Sequence, residues 1–187
     1  MEGKQQILAK FIITVAMGTI CCLIVGLCFF GLKVFVFKDP ASQFLIVGLT
    51  GSIFYSLLKF RSVIDAILIM ILLYLANLLI FGTARFLLTR LIFFIGVSGA
   101  LFVFHRYFED KIKELKFGKF LTVASLFTIM YFVCTIVLQI IYNSANFKTE
   151  LLYNLDLGFL IGLGLGIGIE LSNRINTRFG LEALQTK

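Results

Sequence analysis

Six apolar runs, each near the length of a membrane crossing and joined by short charged segments, constrain this chain more than any motif in it. They cover approximately 7–31, 43–58, 63–81, 86–104, 120–142 and 151–171. A crossing helix needs about 20 apolar residues, because the hydrocarbon core is about 30 Å thick and each helical residue rises about 1.5 Å. The runs take up most of the 187 residues and leave no room for a separate soluble domain. Charged residues are only 14% of the chain, against about 25% in an average soluble domain. A soluble fold could not hide so much apolar surface. The expected fold is all-α: a polytopic membrane bundle of about six transmembrane helices in one domain, residues 1–187.

The first run follows Lys4 and is longer than the apolar region of a secretory signal, so it reads as a retained span. The net charge of +7 would suggest nucleic acid in a soluble protein, but here it follows the positive-inside rule. One side of a six-span chain collects Lys4, Lys10, Lys59, Arg61, Arg106, Lys111, Lys113, Lys116, Lys119, Arg174, Arg178 and Lys187. The other collects only Lys33, Lys38, Arg85, Arg90 and Lys148. This asymmetry places both termini in the cytoplasm and is consistent with a bacterial cytoplasmic membrane. There is no Trp, so anchoring at the interfaces falls to Tyr55, Tyr107, Tyr142 and Tyr153, all near span ends.

The joints carry local signals. Pro40, the only proline, marks the entry to the second span. Segment 105–119 is the longest cytoplasmic connection, with Phe104, Phe108, Ile112 and Leu115 at helical spacing and Glu109 four residues before Lys113. It reads as an extension of the fourth helix or an amphipathic helix on the inner surface, stopped at Gly118 and facing a partner or anionic lipid headgroups, with a solvated charged linker as the alternative. The sixth span carries Gly158, Gly162, Gly164, Gly166 and Gly168, which form three overlapping GxxxG registers. Such spacing lets another backbone approach closely, inside the bundle or in a second chain. The alternative is an unwound helix beside a ligand.

Most catalytic chemistry is excluded. The single histidine rules out a bis-histidine haem or a three-histidine zinc site, and no phosphate-binding loop or HExxH is present. Cys21, Cys22, Cys28 and Cys134 all lie within spans and form no CxxC pair. No metal or cofactor is expected. Gly96-Val97-Ser98-Gly99-Ala100 looks like the GxSG motif of rhomboid intramembrane proteases. Its serine would need a histidine from a later helix, and the only one, His105, is seven residues along the same helix. That separation is about 10 Å, too far for proton transfer. An enzyme is therefore not expected.

The remaining signal is a layer of polar residues at one depth. Asn77, Arg90, Gln139 and Asp156 each fall in the outer third of a different span, with Asn154 and Arg85 nearby. Ionisable groups at that depth are costly unless paired or wet. Arg90 and Asp156 could form an internal pair that fixes helix register. They could equally line an outward-facing pocket in which Arg90 holds an anionic group and Arg85 attracts it, since guanidinium matches carboxylate and phosphate geometry. Six short spans in 187 residues resemble, in size and span count, the membrane-embedded substrate-binding subunits of energy-coupling-factor vitamin transporters. Their small-residue AxxxA docking motif is not in the first span. The expected function is a transport component binding a small anionic solute or lipid headgroup. The alternative is a non-catalytic subunit of a larger membrane complex, docked on a partner or a second copy through the sixth helix. Nucleic acid is not expected as a partner.

Overall fold

The computed structural model describes residues 2–36, 39–81, 84–112, 118–143 and 145–179, and only the backbone of 2–4, 77–81 and 84–87. Among these residues every regular element is helical. The six long helices are α1 (Glu2–Phe30), α2 (Gln43–Phe60), α3 (Val63–Phe81), α4 (Ala84–Val103), α5 (Gly118–Tyr142) and α6 (Phe147–Arg178). Five stretches are long and apolar enough to cross a membrane: Gln5–Phe35, Pro40–Phe60, Leu88–Phe108, Gly118–Tyr142 and Phe147–Arg178. In α3 the apolar stretch is the shorter Val63–Ala76. The chain is an integral membrane protein built as an all-α bundle.

Local chemistry sets the joints. Gly31 takes φ +59, a left-handed conformation that ends α1 at no steric cost. A 3-10 turn over Gly31–Phe35 follows. Asp39 then accepts a hydrogen bond from Ala41 N at 2.9 Å, and Pro40 opens a second short turn, Pro40–Ser42, leading into α2. Ser62 Oγ accepts from Asp65 N at 3.1 Å and caps the start of α3.

Helices consecutive in the chain run antiparallel, as do α1 and α6. Along α1, Gly18, Cys22 and Gly26 meet Ser52, Gly48 and Phe44 of α2 in reverse order. The glycines of α6 divide between two neighbours. Gly158, Gly162 and Gly166 lie against Tyr131, Ala124 and Phe120 of α5, while Gly164 and Gly168 lie against Cys22 and Gly18 of α1. Helix α6 is continuous through this run, and both of its glycine faces are filled within the chain. It packs between α1 and α5, with α2 on a third side. α4 joins α5 to α2, whereas α3 rests on α2 and touches α4 only lightly.

Two joints depart from the sequence reading. Helix α6 runs past the expected end at residue 171 to Arg178, and Ser172, Asn173 and Asn176 in that extension are buried. The connection after α4 is not a plain helical extension. A π-helical turn spans Phe104–Phe108, with Glu109 N donating to Phe104 O at 2.9 Å. The extra residue in that turn swings Glu109 inward, away from the expected outward face. Residues 113–117, including Lys113 and Leu115, lie outside the described chain, and Gly118 opens α5 instead of closing a helix before it.

Candidate functional site

Of the expected outer layer, Arg90 and Asp156 do not pair with each other. Arg90 on α4 is half-buried, whereas Asp156 on α6 is exposed and makes no hydrogen bond or ion pair among the described residues. α4 packs on α5, α2 and α3, while α6 packs on α5, α1 and α2. Asn154 donates to Thr135 Oγ1 on α5 at 3.0 Å, a helix-to-helix clamp. Gln139 is half-buried on α5, and the Asn77 and Arg85 side chains lie outside the described residues. A second outer contact, not expected from the sequence, is the Tyr131 hydroxyl donating to Gln43 Oε1 at 2.8 Å between α5 and α2.

The polar chemistry concentrates at the opposite end of the bundle, where the termini lie. Glu109 is its centre. Its Oε1 accepts from the Tyr55 hydroxyl at 2.6 Å and from Lys59 Nζ at 3.2 Å. Its Oε2 lies 2.6 Å from His105 Nδ1, which donates to the ionised carboxylate. Lys59 Nζ also donates to Asn173 Oδ1 on α6 at 2.5 Å. One carboxylate thus ties α2 to the turn after α4, and Lys59 carries the link on to α6. Burial alone would raise the Glu109 carboxyl. The His105 hydrogen bond, the Lys59 charge and the Tyr55 hydroxyl outweigh it and hold the group down at about 2. A separate ion-pair set, Glu170 with Arg174 at 3.0 Å and Lys119 at 3.8 Å, joins α6 to α5 nearby.

The hub was hidden for specific reasons. Tyr55 stands near a span end, as a belt residue does, yet it is fully buried, unlike the exposed Tyr107 and Tyr142. Glu109 matched a solvent-facing i,i+4 pair until the π-turn rotated it. Ser98 and His105 are engaged apart: Ser98 Oγ donates to Phe94 O at 2.8 Å, and His105 serves Glu109.

A second feature is a cleft of about 450 Å³ between α2, α3 and α4. It exists because α3 leans on α2 and leaves α4. Phe54 and Met70 form a buried floor. Ile67 and Tyr74 on one wall face Phe94 and Ser98 on the other. The rim residues Val63, Ile95 and Phe102 are exposed, Ile95 by 62%, so the cleft opens sideways to the bilayer. From Val63 to Tyr74 it runs about 16 Å, roughly half the hydrocarbon thickness, on the side of the chain termini. Arg61 precedes the Val63 end of the cleft and Arg106 follows the Phe102 end. Both are exposed and neither has a carboxylate partner among the described residues. Among the described residues no group of three His, Cys, Asp or Glu side chains could hold a metal ion.

Comparison with protein-family models, with curated proteins and with solved structures finds no match for this chain.

Proposed function

We propose that this chain is a lipid-binding membrane component, acting in transport, that takes one hydrocarbon chain of an anionic lipid into the α2–α3–α4 cleft. Its headgroup phosphate lies at Arg61 and Arg106. The observation that carries the reading is the cleft: leaflet-long, apolar and open to the bilayer, with the exposed Arg61 just before its Val63 end and the exposed Arg106 just after its Phe102 end, neither with a carboxylate partner among the described residues. This keeps the anionic headgroup expected from the sequence and moves it from Arg90 and Arg85 to the other end of the bundle. The charge asymmetry supports six crossings of a bacterial inner membrane with both termini in the cytoplasm. The cleft then lies in the cytoplasmic leaflet, where anionic lipids and juxtamembrane Arg or Lys attract each other by about 1 kcal/mol per residue.

The absence of tryptophan makes a clean test available. Phe94→Trp places a single indole in the cleft wall, and Ile129→Trp places one at an exposed site on α5. In nanodiscs, chain-brominated phosphatidylglycerol should quench the Phe94→Trp protein more than chain-brominated phosphatidylcholine at equal mole fraction. Arg61→Gln with Arg106→Gln should remove that preference, and Ile129→Trp should show none. Equal quenching by both lipids at both positions would mean ordinary lipid solvation and would sink the proposal. Cleft tryptophan quenched by neither lipid would favour the accessory-subunit reading, with a protein segment filling the cleft.

A further inference from the structure

The seam between α1, α2 and α6 at the terminal end contains a cation, Lys10, with no counter-ion among the described residues. Lys10 on α1 is only 5% exposed. Its one described contact is with the face of Phe60, at 6.0 Å, a ring that also carries Lys59 at 5.8 Å. Two buried or half-buried acids at this end are engaged with other groups: Glu109 with Tyr55, Lys59 and His105, and Glu170 with Arg174 and Lys119. A charge on a largely buried side chain is unfavourable unless it is paired or reaches water.

Three buried polar atoms in the same seam have no partner among the described residues: Thr14 Oγ1, Asn173 Nδ2 and Asn176 Oδ1. Thr14 stands one turn from Lys10 on α1, and Asn173 and Asn176 share a face of α6. The antiparallel register that sets Gly18 on Gly168 carries Lys10 and Thr14 to the level of these asparagines. Thr14 is 1% exposed and Asn176 is 3% exposed, so bulk water does not satisfy them. Thr14 and Asn173 offer donors, and the Asn176 amide offers one when turned over, since its O and N are assigned from the surrounding bonds. Lys10 and Lys59, both over the Phe60 ring, and neutral donors at the same level of the seam are groups of the kind that bind an oxyanion.

We propose that this seam is an anion site, distinct from the cleft, in which Lys10, Lys59, Thr14, Asn173 and Asn176 hold a phosphate or phosphate-like oxyanion. The group is either a free solute or the head of a lipid entering between α1 and α2.

The test uses the full chain in a neutral detergent at constant ionic strength. In one arm inorganic phosphate is titrated while unfolding temperature is followed. In the other, phosphatidylglycerol replaces phosphatidylcholine in mixed micelles. A ligand that binds only the native state raises stability in a saturable way. Wild type should respond saturably in at least one arm. Lys10→Gln and Asn176→Leu should weaken apparent affinity at least tenfold, and Lys10→Arg should retain most of it. Arg61→Gln with Arg106→Gln should leave the phosphate response intact, which separates this site from the cleft. A response to free phosphate assigns a solute site, and a response to phosphatidylglycerol alone assigns a headgroup site. Without added anion, Lys10→Met should unfold at a higher temperature than wild type, because an unpaired buried cation is gone. No saturable response of wild type in either arm would overturn the proposal. So would an equal response of wild type and Lys10→Gln, or a Lys10→Met protein less stable than wild type without anion.

Discussion

Glu109 lies just past the fourth span and receives three donors, two of them from α2. Its folded carboxyl is held at about 2 against an ordinary 4.5. A depressed acid contributes stability that is fully present above its unfolded pKa and is lost as pH falls through its folded one. Wild type should therefore lose thermal stability between about pH 4.5 and about 2, with Glu109→Gln losing less over the same interval. At neutral pH, Glu109→Gln should cost about 3 kcal/mol, because Lys59 keeps a mostly buried charge without its partner. Adding Lys59→Met to Glu109→Gln should recover part of that loss in a double-mutant cycle. Additive losses would show that the two side chains do not act as a pair. Tyr55→Phe should cost about 2 kcal/mol, the size of a hydrogen bond to a charged group.

Between helices, close approach is the main determinant. A Cβ added at Gly168 would stand 2.5 Å from Gly18 Cα on α1, and backbone cannot step aside as a side-chain tip can. Gly168→Ala should destabilise by about 2 kcal/mol through overpacking, despite the roughly 1 kcal/mol that alanine gains over glycine in a helix. Gly99→Ala is the control. Its nearest neighbour is the flexible Met130 Cε at 3.4 Å, so the change should be neutral or stabilising. Equal melting temperatures for the two variants would remove close packing as the reason for the α6 glycine run. The spacing of those glycines was legible in the sequence. Which faces they served was not, because GxxxG does not say whether the approaching backbone belongs to the same chain.

Across the bundle, alternating antiparallel helices put Lys10 and Asn176 at one end. In the proposed orientation, which rests on the positive-inside asymmetry, that end faces the cytoplasm. Single cysteines introduced at Asp110 and at the exposed Ala145, in a background lacking exposed Cys28, should label from opposite sides of sealed vesicles. Labelling of both from one side would break the six-span topology, and labelling of Asp110 from outside would invert it.

Local apolar length was enough to settle the solvent and the helical class, because tertiary contacts cannot change it. Glycine spacing likewise marked α6 as a close-packing helix. Which polar residues meet was set by the packing. Arg90 and Asp156 share a depth, but depth does not say which faces of two helices turn toward each other. Lys59 and Asn173 are 114 positions apart, and Glu109 and Tyr55 are 54 apart. These four meet only because a π-turn adds one residue and α6 continues about two turns beyond its apolar run. The cleft follows from the lean of one helix. No single apolar segment records that lean, since the same residues suit lipid and protein neighbours equally well.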